Sequence, residues 1–115
     1  MIAPPPTFQH FLDAHPEVGE AYQALGRAAT HAGPLDTRSV HLVKLGLAIG
    51  MQHEGAVHAH ARKALGAGFS ADELRHAAIV AVTTLGFPRM MAAYTWVEDE
   101  IAAHTDAARH TPEPS

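Results

Sequence analysis

Eight residues near the middle of the chain concentrate its chemistry: His53-Glu54-Gly55-Ala56-Val57-His58-Ala59-His60. Three imidazoles and a carboxylate so close together suggest metal ligation or proton transfer, and helical geometry decides which groups can cooperate. Each residue advances about 100° around a helix, so His58 and His60 project about 200° apart and cannot share an ion. Glu54 and His58 stand one turn apart and can touch. His53 and His60 lie two turns apart on one face, rooted about 10 Å from each other. The segment thus carries two pairs on different faces. A zinc enzyme needs three protein ligands, and His41, His76 or His104 would have to complete a set from other helices. No metal is assigned on this reading, and a metal-dependent enzyme built on the histidine cluster is kept as an alternative.

His60 differs from the others in its neighbours. Ala56, Val57 and Ala64 surround it on its face, all small or apolar. A histidine there is expected to be partly buried and to need a partner. Imidazole titrates near neutrality, so modest burial suits it to general acid–base work. For each of these histidines the competing reading is an exposed or satisfied structural group.

The elements that position this segment are helical. Residues 1–6 read as an extended arm, because Pro4-Pro5-Pro6 cannot enter a helix interior. Thr7 is expected to cap a short helix over Phe8–Ala14. Pro16 fits the first turn of a second helix over about 16–32, which Gly33-Pro34 ends. Asp36 or Thr37 starts a third, with Val40, Val43, Leu47 and Gly50 as its stripe, widened by Leu45 and Ile49. The histidine segment opens a fourth helix, about 54–67, stopped by Gly66 and Gly68. Ser70-Ala71-Asp72-Glu73 is a capping box for a fifth, about 71–85. That helix is apolar nearly all round, as helices central to a domain or an oligomer are. After Gly86-Phe87-Pro88, a last helix over Arg89–His110 carries the stripe Met90, Tyr94, Val97 and Ile101. Residues 111–115 are expected to fray. The only strand candidate, Ile79–Thr84, is outweighed by the capping box and flanking alanines.

Composition narrows the function classes. The chain has 115 residues, 47% hydrophobic and 17% charged. That length fits one domain, here 1–115, with a core large enough to need no staple. The low charged share hints at a self-association surface. Eight basic against twelve acidic residues give a net charge of -4, which speaks against a nucleic-acid partner. No uncharged stretch approaches the roughly 20 residues that span a bilayer. The start lacks a signal-peptide pattern, so a cytoplasmic location is expected. Cysteine is absent, which excludes disulfides, thiolate metal sites and thiol redox cycles.

The run His60-xxx-Ala64-xxx-Gly68-x-Ser70-xx-Glu73, with Leu35-Asp36 upstream and Leu85-Gly86-Phe87-Pro88 downstream, resembles the carboxymuconolactone decarboxylase family. This superfamily also contains the alkylhydroperoxidase D proteins. The resemblance covers roughly Leu35–Ile101. It implies an all-α fold of about six helices and a homo-oligomer, commonly a trimer or hexamer. In the peroxidase branch a Cys-x-x-Cys precedes the histidine that looks like His60; here those positions are His53 and Ala56, so thiol peroxidase chemistry is excluded. The decarboxylase branch often carries a carboxylate one turn before that histidine, a position held here by Ala56. Glu54 projects about 120° away from His60.

The resemblance implies a lyase acting on a small acidic substrate, a lactone carboxylate that loses carbon dioxide. His60 is the candidate proton donor, with Glu54 and His58 tuning its network. A cation should hold the substrate carboxylate. Arg38, Lys44, Arg62, Arg75 and Arg89 are candidates, and Arg38, Arg89 and His53 are assigned to substrate binding. No cofactor is demanded by this chemistry. A non-catalytic oligomeric binding or scaffold protein is the competing function.

Overall fold

The computed structural model describes residues 6–110. Seven helical segments run through them: α1 Pro6–Ala14, α2 Pro16–Thr30, α3 Thr37–Gly50, α4 Glu54–Gly66, α5 Ala71–Val80, α6 Val82–Leu85 and α7 Phe87–His110. No strand occurs among the described residues, and none of their helices is long and apolar enough to cross a membrane. The chain divides into two compact units, one formed by Ala3–Val40 and the other holding His41–Ser115.

The smaller unit is a helical hairpin. Pro16 opens α2 where its missing N–H is no loss. Gly19 is buried because α1 crosses it closely: a Cβ there would stand 2.7 Å from Leu12 Cδ2. Asp36 settles the start of α3, since its Oδ1 accepts from the Ser39 amide at 2.7 Å. That bond favours the carboxylate and holds Asp36 below its ordinary pKa.

The larger unit contains the core. Val57, Ala61 and Ala64 of α4 meet Ala93 and Val97 of α7, and Leu74 and Ala78 of α5 close the third side; all seven are wholly buried. Leu45, Ala48 and Ile49 of α3 join the cluster, with Leu65, Phe69 and Ile101. Alanine at four of the seven contact points lets helix axes approach closely. Each fully buried Leu or Val contributes about 1.5–3 kcal/mol, so these few large side chains carry much of the stability.

The capping box forms as read: Ser70 Oγ accepts from the Glu73 amide at 3.1 Å, and Glu73 Oε1 accepts from the Ser70 amide at 2.9 Å. Three boundaries differ from the sequence reading. The fifth helix breaks at Ala81, where the amide turns back to the Ala78 carbonyl. β-Branched Ile79, Val80, Val82, Thr83 and Thr84 flank the break, and such side chains lower helix propensity. The last helix starts at Phe87, because Pro88 occupies its first turn, after Gly86 at φ +90°. The first helix begins at Pro6 rather than Phe8, by the same tolerance for proline at a helix start. Otherwise the expected arm at 1–6 and tail at 111–115 lie outside the described residues.

Candidate functional site

Every imidazole of the central segment follows from how α4 starts. The α3–α4 turn places Gln52 in the left-handed region, at φ 53°. Its side chain offsets that strain by donating to the Ile49 carbonyl at 3.0 Å and to the Arg89 carbonyl at 3.1 Å. The turn is thereby tied to the start of α7. His53 then serves as the N-cap of α4, its Nδ1 accepting from the Ala56 amide at 3.0 Å. One nitrogen of a residue assigned to substrate binding is therefore used by the helix itself.

From that start, His58 and His60 diverge as the helical spacing requires. His58 faces α7. Its Nδ1 lies 3.0 Å from Glu100 Oε1, and its Nε2 lies 3.5 Å from Glu54 Oε2. Both contacts are donated together only by the imidazolium. Arg62, one turn further along α4, reaches the same Glu100 oxygen at 3.5 Å. Glu100 is 93% buried by this arrangement, with 7% of its surface left to solvent. Its Oε2 has no hydrogen-bond partner among the described residues. Glu54 and His58 therefore belong to a network with Glu100 and Arg62, and not to one with His60.

His60 occupies the other side of α4 and is half-buried. Its ring makes no hydrogen bond to another described residue, contrary to the expectation of a partner; the solvent-accessible part of the ring leaves water to fill that role. Burial holds its pKa below the ordinary value, and the positive charges of Lys63 and Lys44, with the neighbouring His41, push it further down. His41 is held on α3 by an edge-to-face contact with Phe69, ring centroids 6.0 Å apart. His60 is thus a neutral imidazole at neutral pH in a basic surrounding.

The guanidinium candidates fall elsewhere. Arg89 is exposed, and its backbone carbonyl is the group engaged, by Gln52. Arg38 is exposed and belongs to the smaller unit. Arg75 is bound bidentately by Glu98 across α5 and α7 and by Asp72 at 2.9 Å. The pair holds Glu98 below its ordinary value and Arg75 above it. The cations around His60 are lysines: Lys44 and Lys63. Among the described residues no three or more His, Cys, Asp or Glu side chains are grouped to hold a metal ion.

Glu100 went unnoticed in the sequence, although a signal was present. It lies three residues after Val97 and next to Ile101, so it falls on the buried stripe of α7. A carboxylate in such a stripe needs a cationic partner on the facing helix.

Comparison with known proteins agrees with this architecture. The profile of the carboxymuconolactone decarboxylase family matches residues 16–99. The crystal structure of an apo carboxymuconolactone decarboxylase family protein from Legionella pneumophila is similar, with a TM-score of 0.70 and 26% identity. That similarity covers 84% of this chain and 86% of the other. No curated protein matches significantly. The profile runs from the first residue of α2 through the histidine segment and well into α7, most of the chain, and on that extent the chain belongs to the carboxymuconolactone decarboxylase family.

Proposed function

We propose that this protein is a cytoplasmic, homo-oligomeric, cofactor-free lyase that decarboxylates a small lactone or β-keto carboxylate, with His60 as the proton-delivering group. The observation that carries the reading is the surrounding of His60: a half-buried ring, its pKa lowered by burial, with Lys44 and Lys63 contributing positive charge. Such a place attracts a small carboxylate. The bound anion offsets the charges that disfavour protonation, and the proton affinity of the ring rises. When the bond to the departing carbon dioxide breaks, its electron pair stays on the substrate as an enolate. Protonated His60 delivers its proton to that carbon, and solvent restores the ring. Lys44 and Lys63 replace Arg38, Arg89 and His53 as the substrate-holding groups in this proposal. Homo-oligomer formation is supported by the uncovered apolar surface on α3 and α5, including Leu47 at 62% and Val80 at 61% exposure. The experiment is turnover of lactone and β-keto acid substrates by the parent and by His60→Gln. Loss of turnover with an unchanged fold is expected. Turnover at the parent rate refutes the role of His60 and favours the scaffold reading.

A further inference from the structure

We infer that the first turn of α4 is fastened by a pH-operated cap: His53 holds the turn as a neutral imidazole and releases it as an imidazolium, so acidification loosens the start of the helix that carries Glu54, His58 and His60. His53 Nδ1 accepts from the Ala56 amide at 3.0 Å, and the His53 carbonyl accepts from the Val57 amide, also at 3.0 Å. The ring stands over the turn it closes, since a Cβ at Gly55 would lie 3.4 Å from its Cε1 and 3.7 Å from its Nδ1. An accepting Nδ1 puts the proton of the neutral ring on Nε2. A second proton can go only to Nδ1, the atom that accepts. The cap bond and the positive charge therefore exclude each other. Ser, Thr, Asp and Asn, the usual residues at such a position, keep an accepting oxygen as pH falls toward 5. Imidazole is the ordinary side chain that changes charge between about pH 5 and 8.

The surroundings of the ring do nothing to hold the charged form in place. In α4, Glu54 is turned toward His58, its Oε2 3.5 Å from His58 Nε2. At the start of α7 the charged residue is Arg89, a cation, whose carbonyl is bound by the neighbouring Gln52. The end of α3, from Leu45 through Met51, carries no ionisable residue. Among the described residues no carboxylate pairs with the His53 ring. The helix N-terminus is itself the positive end of the helix dipole and repels a cation. The preceding turn is also strained, with Gln52 at φ 53°. Loss of the cap thus frees a turn that has little else to fasten it. Val57 and Ala61 are wholly buried, so the helix beyond the first turn stays in place. Glu54 belongs to the part that loosens, and its contact with His58 goes with it. This cap works whatever reaction His60 performs.

The test is NMR of the full chain between about pH 8 and about pH 5, the span over which imidazole charges. Ring nitrogen shifts at the upper end should show the Nε2–H tautomer at His53. As pH falls, protection of the Ala56 amide, referred to its intrinsic exchange rate, should drop about fivefold, the size of a typical cap. The Ala61 amide should stay protected. His53→Asn and His53→Asp each supply a cap without an imidazole, and Ala56 protection in them should stay level across the range. If neither variant folds, the parent alone decides: the Ala56 change must follow the charging of the His53 ring, read from its carbon-bound protons, and not that of His58. An Nδ1–H tautomer at the upper end, or Ala56 protection that does not change with pH, overturns the inference. An equal drop in a folded variant also overturns it, because the titrating group would then lie elsewhere.

Discussion

Removing His58 should destabilise the protein more than removing the carboxylate it serves. Glu100 is buried and depends on two donors, His58 Nδ1 at 3.0 Å and Arg62 Nη1 at 3.5 Å, both on Oε1. His58→Ala leaves one long contact on a buried charge and a second oxygen that already lacks a partner. Breaking a fully buried pair costs about 3–5 kcal/mol. Here the His58 side chain is 24% and the Arg62 side chain 18% exposed, so water relieves part of that penalty, and about 2–3 kcal/mol is expected. Glu100→Met removes the buried charge, keeps the volume and leaves both donors able to reach solvent; it should cost under about 1 kcal/mol or stabilise. His58→Ala also removes ring packing, which the double variant isolates. In the double variant the two costs should fail to add by about 1–2 kcal/mol. Urea unfolding of the four proteins at pH 7 and one fixed concentration measures all these quantities. A Glu100→Met variant less stable than His58→Ala would refute the argument, because the carboxylate would then be a net source of stability.

Two further outcomes follow from the local chemistry. Ser70→Ala removes one of the two capping-box bonds and should lower stability by about 1 kcal/mol in chemical denaturation, leaving His60 chemistry untouched; an unchanged midpoint would show that the cap carries nothing. His60 sits below its ordinary pKa of about 6.5 in the folded state, so the unfolded chain binds its proton first as pH falls. The stability contributed by the neutral ring is complete above about pH 6.5 and is lost toward the lower folded value. Between pH 7 and 5 the parent should therefore lose more stability than His60→Gln, and parallel curves would contradict the cause assigned to the shift.

The sequence by itself determined that the chain is helical and where several of its helices begin and end, because these depend on neighbours within one or two turns. Ser70 and Glu73 cap each other, Pro16 sits where a missing N–H is harmless, and Gly86 ends what precedes it; each is local chemistry written in consecutive residues. The divergence of His58 from His60 was equally legible, since helical pitch alone fixes it. The family motif around His60 pointed to the same residues that the profile now spans. What only the tertiary structure decided concerns partners on other helices. Whether His58 meets Glu54 alone or a buried Glu100 depends on how α7 lies across α4, and no spacing within α4 encodes that. Lys44 and His41 come near His60 through the placement of α3, while the guanidinium groups that looked equally suitable are exposed or bound elsewhere. The apolar stripe of α3 shows the same division most plainly. Periodicity marked Val43 and Leu47 together with Leu45 and Ile49 as one wide stripe, and the fold buries Leu45 and Ile49, with Ala48, while Val43 and Leu47 stay exposed, because one chain has only one core and α3 presents it with a single side.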